Sequence, residues 1–226
     1  MDTTSVKKIE AAMEESLTRI SDHRFIRLAH QRELSRDQVI RWILCAGRES
    51  ETFPNILVRM LERIKTPQLV VDILNENLND EYGNGNPDEA HFRHYMHLLS
   101  EVGLTEADFR GYSERAGIRL ALDLAANVSV QPVPEIAIGY MLVNEGMTPI
   151  TYGAVDIAIH KHFPKLDNKF FQLHVEVDEH HVRELYRAVA TLDGSAMDDV
   201  LFGVALGERG MAVLLDEALG VFDSVS

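Results

Sequence analysis

Residues 172–184, QLHVEVDEHHVRE, place three histidines and four carboxylates in thirteen positions. At about 100° per residue on an α-helix, His174, Asp178 and His181 fall within an arc of about 60°, whereas Glu176, Glu179 and His180 point elsewhere. One face of this helix therefore carries histidine, carboxylate and histidine. Two neutral imidazoles and a carboxylate on a common face suit a divalent first-row metal, iron above all, with coordination positions left open. The competing reading is a solvated, charged face of an ordinary surface helix. The choice depends on whether other segments supply matching ligands.

Outward from this stretch the pattern is helical throughout. Ile9, Met13, Leu17 and Ile20 recur at intervals of four, four and three, the stripe of an amphipathic helix over 6–20. Ser35 and Gln38 form a capping-box pattern that opens a long helix toward Ile64, with a kink expected at Pro54. Thr66-Pro67 and Thr148-Pro149 read as caps followed by proline at the first helical position, and Pro87 reads likewise for a helix through His91, Tyr95 and Leu98. Thr105 starts a helical pattern that runs on through Leu122. Pro134 leads a further helix through Glu145, and 197–222 closes the chain, with Gly203, Gly207 and Gly210 permitting close packing. No segment alternates with a period of two between hairpin turns. The fold class is all-α, a bundle of about seven or more mostly antiparallel helices in one domain over 1–226.

Composition bounds the function. The chain has 226 residues, 46% hydrophobic and 26% charged, ordinary for a soluble globular protein. It has no apolar run near the ~20 residues of a membrane span. The N-terminus alternates charged and apolar residues in helical fashion, without the unbroken apolar segment of a secretory signal, so the expected location is the cytoplasm. A net charge of −14 argues against a nucleic-acid partner. The single Cys45 excludes an intramolecular disulfide framework and any cysteine-based zinc cluster. A bound metal must be held by His, Asp and Glu.

Three earlier positions offer such ligands. Glu81 ends one helical pattern, and His91 lies just beyond the breaker GNGNP at 83–87, so a short hinge brings both to one end of a bundle; His94 and His97 compete with His91 for the inward position. Glu145 stands where the apolar spacing of Ile138, Met141 and Leu142 calls for a core residue. A buried carboxylate needs a partner, and a cation is one of the few that offset its burial. The alternatives are an exposed Glu81 beside a loop and a Glu145 paired with an arginine such as Arg187.

The residues 77–91 (NLNDEYGNGNPDEAH), 139–145 (GYMLVNE) and His174-x3-Asp178-x2-His181 resemble the haem-oxygenase-like di-iron oxidases. These include CADD-like iron-containing redox enzymes and are sister to the thiaminase-like (TenA) and pyrroloquinoline-quinone-synthase (PqqC) proteins. The resemblance spans most of the chain and matches the family's ligand types in order and interval. It implies a haem-oxygenase-like up-and-down bundle in which Glu81, His91, Glu145, His174, Asp178 and His181 hold two Fe(II)/Fe(III) ions, with O2 as co-substrate. Some members add a carboxylate from the second long helix, here Glu49 or Glu51.

By the same resemblance the substrate is a small carboxylate, an amino acid or its derivative, acted on by C–C cleavage, desaturation or N-oxygenation. An external electron donor and a homodimer also follow from it. An arginine near the pocket, Arg48, Arg183 or Arg187, is expected to fix the substrate carboxylate, and Trp42, Tyr140 and Tyr152 to line the pocket. The alternative function is a metal-free TenA- or PqqC-like bundle that binds or hydrolyses a small molecule, or a protein-interaction module without oxygen chemistry. Hydrolysis would need Cys45 as nucleophile, whereas a free cysteine is more often a small core residue.

Overall fold

Long helices set the frame. A computed structural model describes the backbone of residues 3–167 and 169–224 and the side chains of residues 6–167, 169–171 and 180–223. Ten α-helices follow one another in the described residues, with no strand among them: α1 Thr3–Ser21, α2 Arg24–His30, α3 Arg36–Arg63, α4 Gln68–Glu81, α5 His91–Glu101, α6 Glu106–Gly111, α7 Ala116–Val128, α8 Pro134–His162, α9 Lys169–Val189 and α10 Met197–Leu219. The capping box at Ser35 and Gln38 is formed, and a second one, Thr105 with Asp108, opens α6. On α1 the residues Ile9, Met13 and Ile20 are buried, and the helix is tied to α10 by Arg19 and Ser16, which both donate to the buried Glu208.

Several boundaries differ from the sequence expectation. Residues 23–34 contain the short helix α2, which starts where the His23 ring accepts from the Phe25 amide. Pro67 is itself the N-cap of α4 rather than its first residue, and Pro87–Glu89 forms a separate 3-10 turn before α5 begins at His91. The pattern after Thr105 splits into α6 and α7. Thr148-Pro149 starts nothing, because α8 runs through it for 29 residues. That helix is buried on nearly every side, so it shows no apolar stripe from which its limits could be traced.

Both internal prolines lie in the two longest helices, Pro54 in α3 and Pro149 in α8. Each removes the N–H that would bond the carbonyl four residues back, Ser50 and Glu145 respectively. Threonine hydroxyls bond the neighbouring carbonyls: Thr52 donates to Arg48 O at 2.9 Å, and Thr148 donates to Asn144 O at 3.2 Å. Ser50 and Glu145 are both buried.

α8 packs against α9 and α10, and α10 also contacts α7, α1 and α3. The α8/α10 crossing is set by two glycines. A Cβ on Gly139 would stand 2.0 Å from Val200 O, and one on Gly203 would stand 2.0 Å from Ile136 O. At α7, a buried carboxylate on α10 replaces the missing side-chain cap: Glu217 accepts from the Arg115 amide at 3.0 Å, the Ile118 amide at 2.6 Å and the Tyr112 hydroxyl at 2.8 Å. This satisfies helix N–H groups that would otherwise be buried without partners.

Candidate metal centre

The last turn of α4 carries Asn77, Asp80 and Glu81 on the face that continues the buried stripe Val70, Ile73 and Leu74. Glu81 ends the helix, and the loop that follows turns back through residues with positive φ at Gly83, Asn84 and Gly85, so that α5 begins beside it. His91, the first residue of α5, sits with Nδ1 3.0 Å from Glu81 Oε1, both side chains buried. His94 instead meets Glu89 at 3.1 Å, and His97 is exposed beside Glu101, so neither competes with His91.

Glu145 reaches the same region from α8. It accepts a 2.6 Å hydrogen bond from the Asn77 amide, and its Oε2 lies 3.5 Å from His181 Nδ1. His181, on α9, is held on its other side by Asp80, with Oδ2 3.1 Å from Nε2. Burial lowers both imidazoles, but carboxylates outweigh it. The hydrogen bond and charge of Glu81 raise His91 above the usual histidine range, helped by Asp80 and Glu145, while Glu145 and Asp80 push His181 up to about 9. His181 Nδ1 is buried and, despite the nearby carboxylate, makes no hydrogen bond to a described residue.

Glu81, His91, Glu145 and His181 border a cavity of about 100 Å³. Two helical stripes form its walls: Glu49, Thr52, Phe53 and Ile56 from α3, and Tyr140, Asn144, Thr148 and Tyr152 from α8. Leu122, Ala125 and Met211 close it from α7 and α10. Glu49 is half-buried and lines the cavity; burial pushes its carboxyl up to about 7. Glu51, the other candidate for an added carboxylate, is turned away into ion pairs with Arg110 and Arg48.

Tyr140 and Tyr152 line the cavity as the sequence suggests, but Trp42 and the three arginines do not. Trp42 is fully buried behind Tyr152, edge-on at 5.2 Å between ring centroids. Arg48 donates to Phe109 O at 3.0 Å, sits 3.3 Å from Glu114 and lies over the Phe109 ring. Arg183 is exposed, and Arg187 pairs with Glu184 at 2.9 Å rather than with Glu145. Sequence proximity to the ligands misled here, because successive helical residues face different ways. Asn77 and Asp80 were missed as ordinary helix polar residues, though their place on a stripe continuing buried Val70 and Ile73 marks them.

The side chains of His174 and Asp178 lie outside the described residues, as do those of Glu176 and Glu179. His180 is exposed and meets Glu76 at 3.2 Å. Among the described residues, no group of three or more His, Cys, Asp or Glu side chains is placed to hold a metal ion. The donor set nevertheless fits iron. It joins two imidazoles with hard carboxylates, leaves His181 Nδ1 without a hydrogen bond among the described residues, and holds the other nitrogen of His181 by a carboxylate, the usual support of a ligating histidine.

A profile of the iron-containing redox enzymes matches residues 49–209, from Glu49 past all six expected ligands. The chain belongs to this iron-containing redox enzyme family. Solved structures show the same fold at low identity. A TenA homologue from Pseudomonas syringae is 13% identical over 95% of this chain and 92% of that one, with a TM-score of 0.79. A CADD-like protein from Nostoc punctiforme is 12% identical over 96% and 100%, with a TM-score of 0.77. A domain with a haem-oxygenase-like fold from Shewanella denitrificans is 15% identical over 100% and 97%, with a TM-score of 0.74. Among curated protein sequences none matches this one. The fold is thus haem-oxygenase-like, and no helix among the described residues is long and apolar enough to cross a membrane.

Proposed function

We propose that this iron-containing redox enzyme is a non-haem di-iron oxidase or oxygenase that uses O2 to oxidise an amino acid or amino-acid derivative. The observation that carries the reading is the convergence of Glu81–His91 and Glu145–His181, four buried side chains from α4, α5, α8 and α9, on one cavity, with His181 Nδ1 making no hydrogen bond among the described residues. Glu81, His91, Glu145 and His181 would hold the metal, with His174 and Asp178 completing the set from α9. Bound iron supplies the one-electron and oxygen chemistry that these side chains lack.

The protein's own part is positioning and exclusion. Asp80 fixes the His181 ring through Nε2, and Asn77 fixes the Glu145 carboxylate, so two ligands arrive pre-oriented. Phe53, Ile56, Leu122 and Met211 keep the cavity apolar and restrict water. Ser50 Oγ, buried and without a hydrogen-bond partner among the described residues, is a neutral donor available to a substrate carboxylate at the cavity wall. Hydrolysis by Cys45 is not favoured: the thiol is buried away from the cavity lining, 3.8 Å from the Tyr112 hydroxyl, and burial pushes it far above its ordinary range.

Ferrous titration of the purified chain under nitrogen tests the reading. About two irons per chain, followed by O2 uptake that accelerates when an amino acid is added, is the expected result. Fewer than about one iron per chain would overturn it.

A further inference from the structure

We propose that Glu49 recognises a cationic nitrogen on the substrate, so that the cavity takes an amine-bearing molecule with an apolar body rather than a simple fatty acid. The inference rests on the cavity being the substrate site of the proposed oxygenase, and assigns the polarity of what enters it. Three glutamates line the cavity, and two are committed: Glu81 to His91, and Glu145 to Asn77 and His181. Only Glu49 has no hydrogen bond or ion pair from its side chain among the described residues. Among the described residues no lysine or arginine lines the cavity to neutralise it.

The adjacent Arg48, the nearest cation in sequence, is held elsewhere by the Phe109 carbonyl and Glu114. A half-buried carboxylate without a partner is unfavourable, and a ligand ammonium is the group that both satisfies it and is satisfied by it. The walls suit the same ligand. Phe53, Tyr140 and Tyr152 present aromatic faces, which attract a desolvated cation and accept an apolar chain alike. A fatty carboxylate would instead bring a second negative charge to a cavity that already carries three acidic side chains. The volume, about 100 Å³, is of the order that admits a small organic molecule.

The test is calorimetry under nitrogen on the ferrous-treated chain, with hexylamine, hexan-1-ol and hexanoate as probes and iron counted on the same samples. The wild-type chain is expected to bind hexylamine at least tenfold more tightly than hexan-1-ol. E49Q, which keeps shape and removes charge, is expected to lose that preference while retaining the wild-type iron count and a melting temperature no lower than wild type. Equal binding of hexylamine and hexan-1-ol to wild type would overturn the proposal, as would hexylamine binding that E49Q leaves unchanged. A lower iron count in E49Q would also overturn it, by making Glu49 a metal ligand. If wild type takes up no iron yet shows the amine preference that E49Q abolishes, the di-iron reading fails and the assignment of Glu49 stands.

Discussion

His181 and Asp80, a hundred residues apart on α9 and α4, meet with Nε2 and Oδ2 at 3.1 Å, and this contact points the opposite ring nitrogen toward Glu145. A histidine held on one nitrogen by a carboxylate has its tautomer and ring orientation fixed, which raises the basicity of the other nitrogen. Asp80→Asn keeps the shape and removes the charge. It is expected to weaken iron binding by roughly 10–100-fold with little change in the far-ultraviolet spectrum, as read by competition with a ferrous chelator. An unchanged affinity would mean that Asp80 only fills space.

The same cluster sets a pH dependence in the metal-free chain. His181 is raised from the ordinary histidine range to about 9, so its contribution to stability is fully present below the unfolded value near 6.5 and is lost as pH rises through 9. Glu49, raised to about 7, acts in the same direction, since a carboxyl that prefers its proton when folded loses stability as pH rises from its unfolded value through 7. Urea unfolding of metal-free protein is expected to show stability falling between pH 6 and 9, by roughly 3 kcal/mol from His181 alone. Under the proposed ligation, iron opposes this trend, because His91 and His181 would have to shed their protons to bind it. Ferrous loading at pH 7 in weak buffer should release about one proton per chain from His181, with any further release coming from His91.

What the sequence disclosed of this site follows from periodicity. The interval from Glu81 to His91 was legible because a glycine-rich breaker between two helical patterns can only fold the chain back. Glu145 stood out as a charge on an apolar face. Asn77, Asp80 and the polar cavity residues Asn144 and Thr148 did not stand out, since polar residues at helical spacing also describe any solvated helix. Which face is inward depends on tertiary packing. The arginines show the converse: Arg48 lies next to a cavity residue in the chain and yet is drawn outward by Phe109 and Glu114.

Glu217 is another buried carboxylate that organises a helix, and here the partners are backbone amides and a tyrosine rather than histidines. Glu217→Ala strands two amides at the start of α7 and is expected to destabilise the chain by about 3 kcal/mol or more. Glu217→Gln retains an acceptor and should cost less. Because α7 contributes Leu122 and Ala125 to the cavity, the Ala variant should also weaken probe binding while leaving the iron count intact. Urea unfolding and calorimetry on the same samples separate the two effects.

The α8/α10 crossing links packing to the metal. Gly139→Ala or Gly203→Ala puts a methyl group into a backbone carbonyl of the facing helix, a contact that no rotamer relieves, so the helices must separate. The expected loss is about 2–4 kcal/mol in urea unfolding. Since α8 also carries Glu145, Tyr140 and Asn144, the shift should lower iron affinity as well. Gly153→Ala supplies the control on the same helix: a Cβ there meets no atom within 4 Å, and alanine is the better helix former, so this variant should gain about 0.5–1 kcal/mol and keep wild-type iron binding. If Gly139→Ala loses stability yet loads iron as wild type does, Glu145 is positioned by Asn77 and His181 alone and not by the seat of α8 on α10.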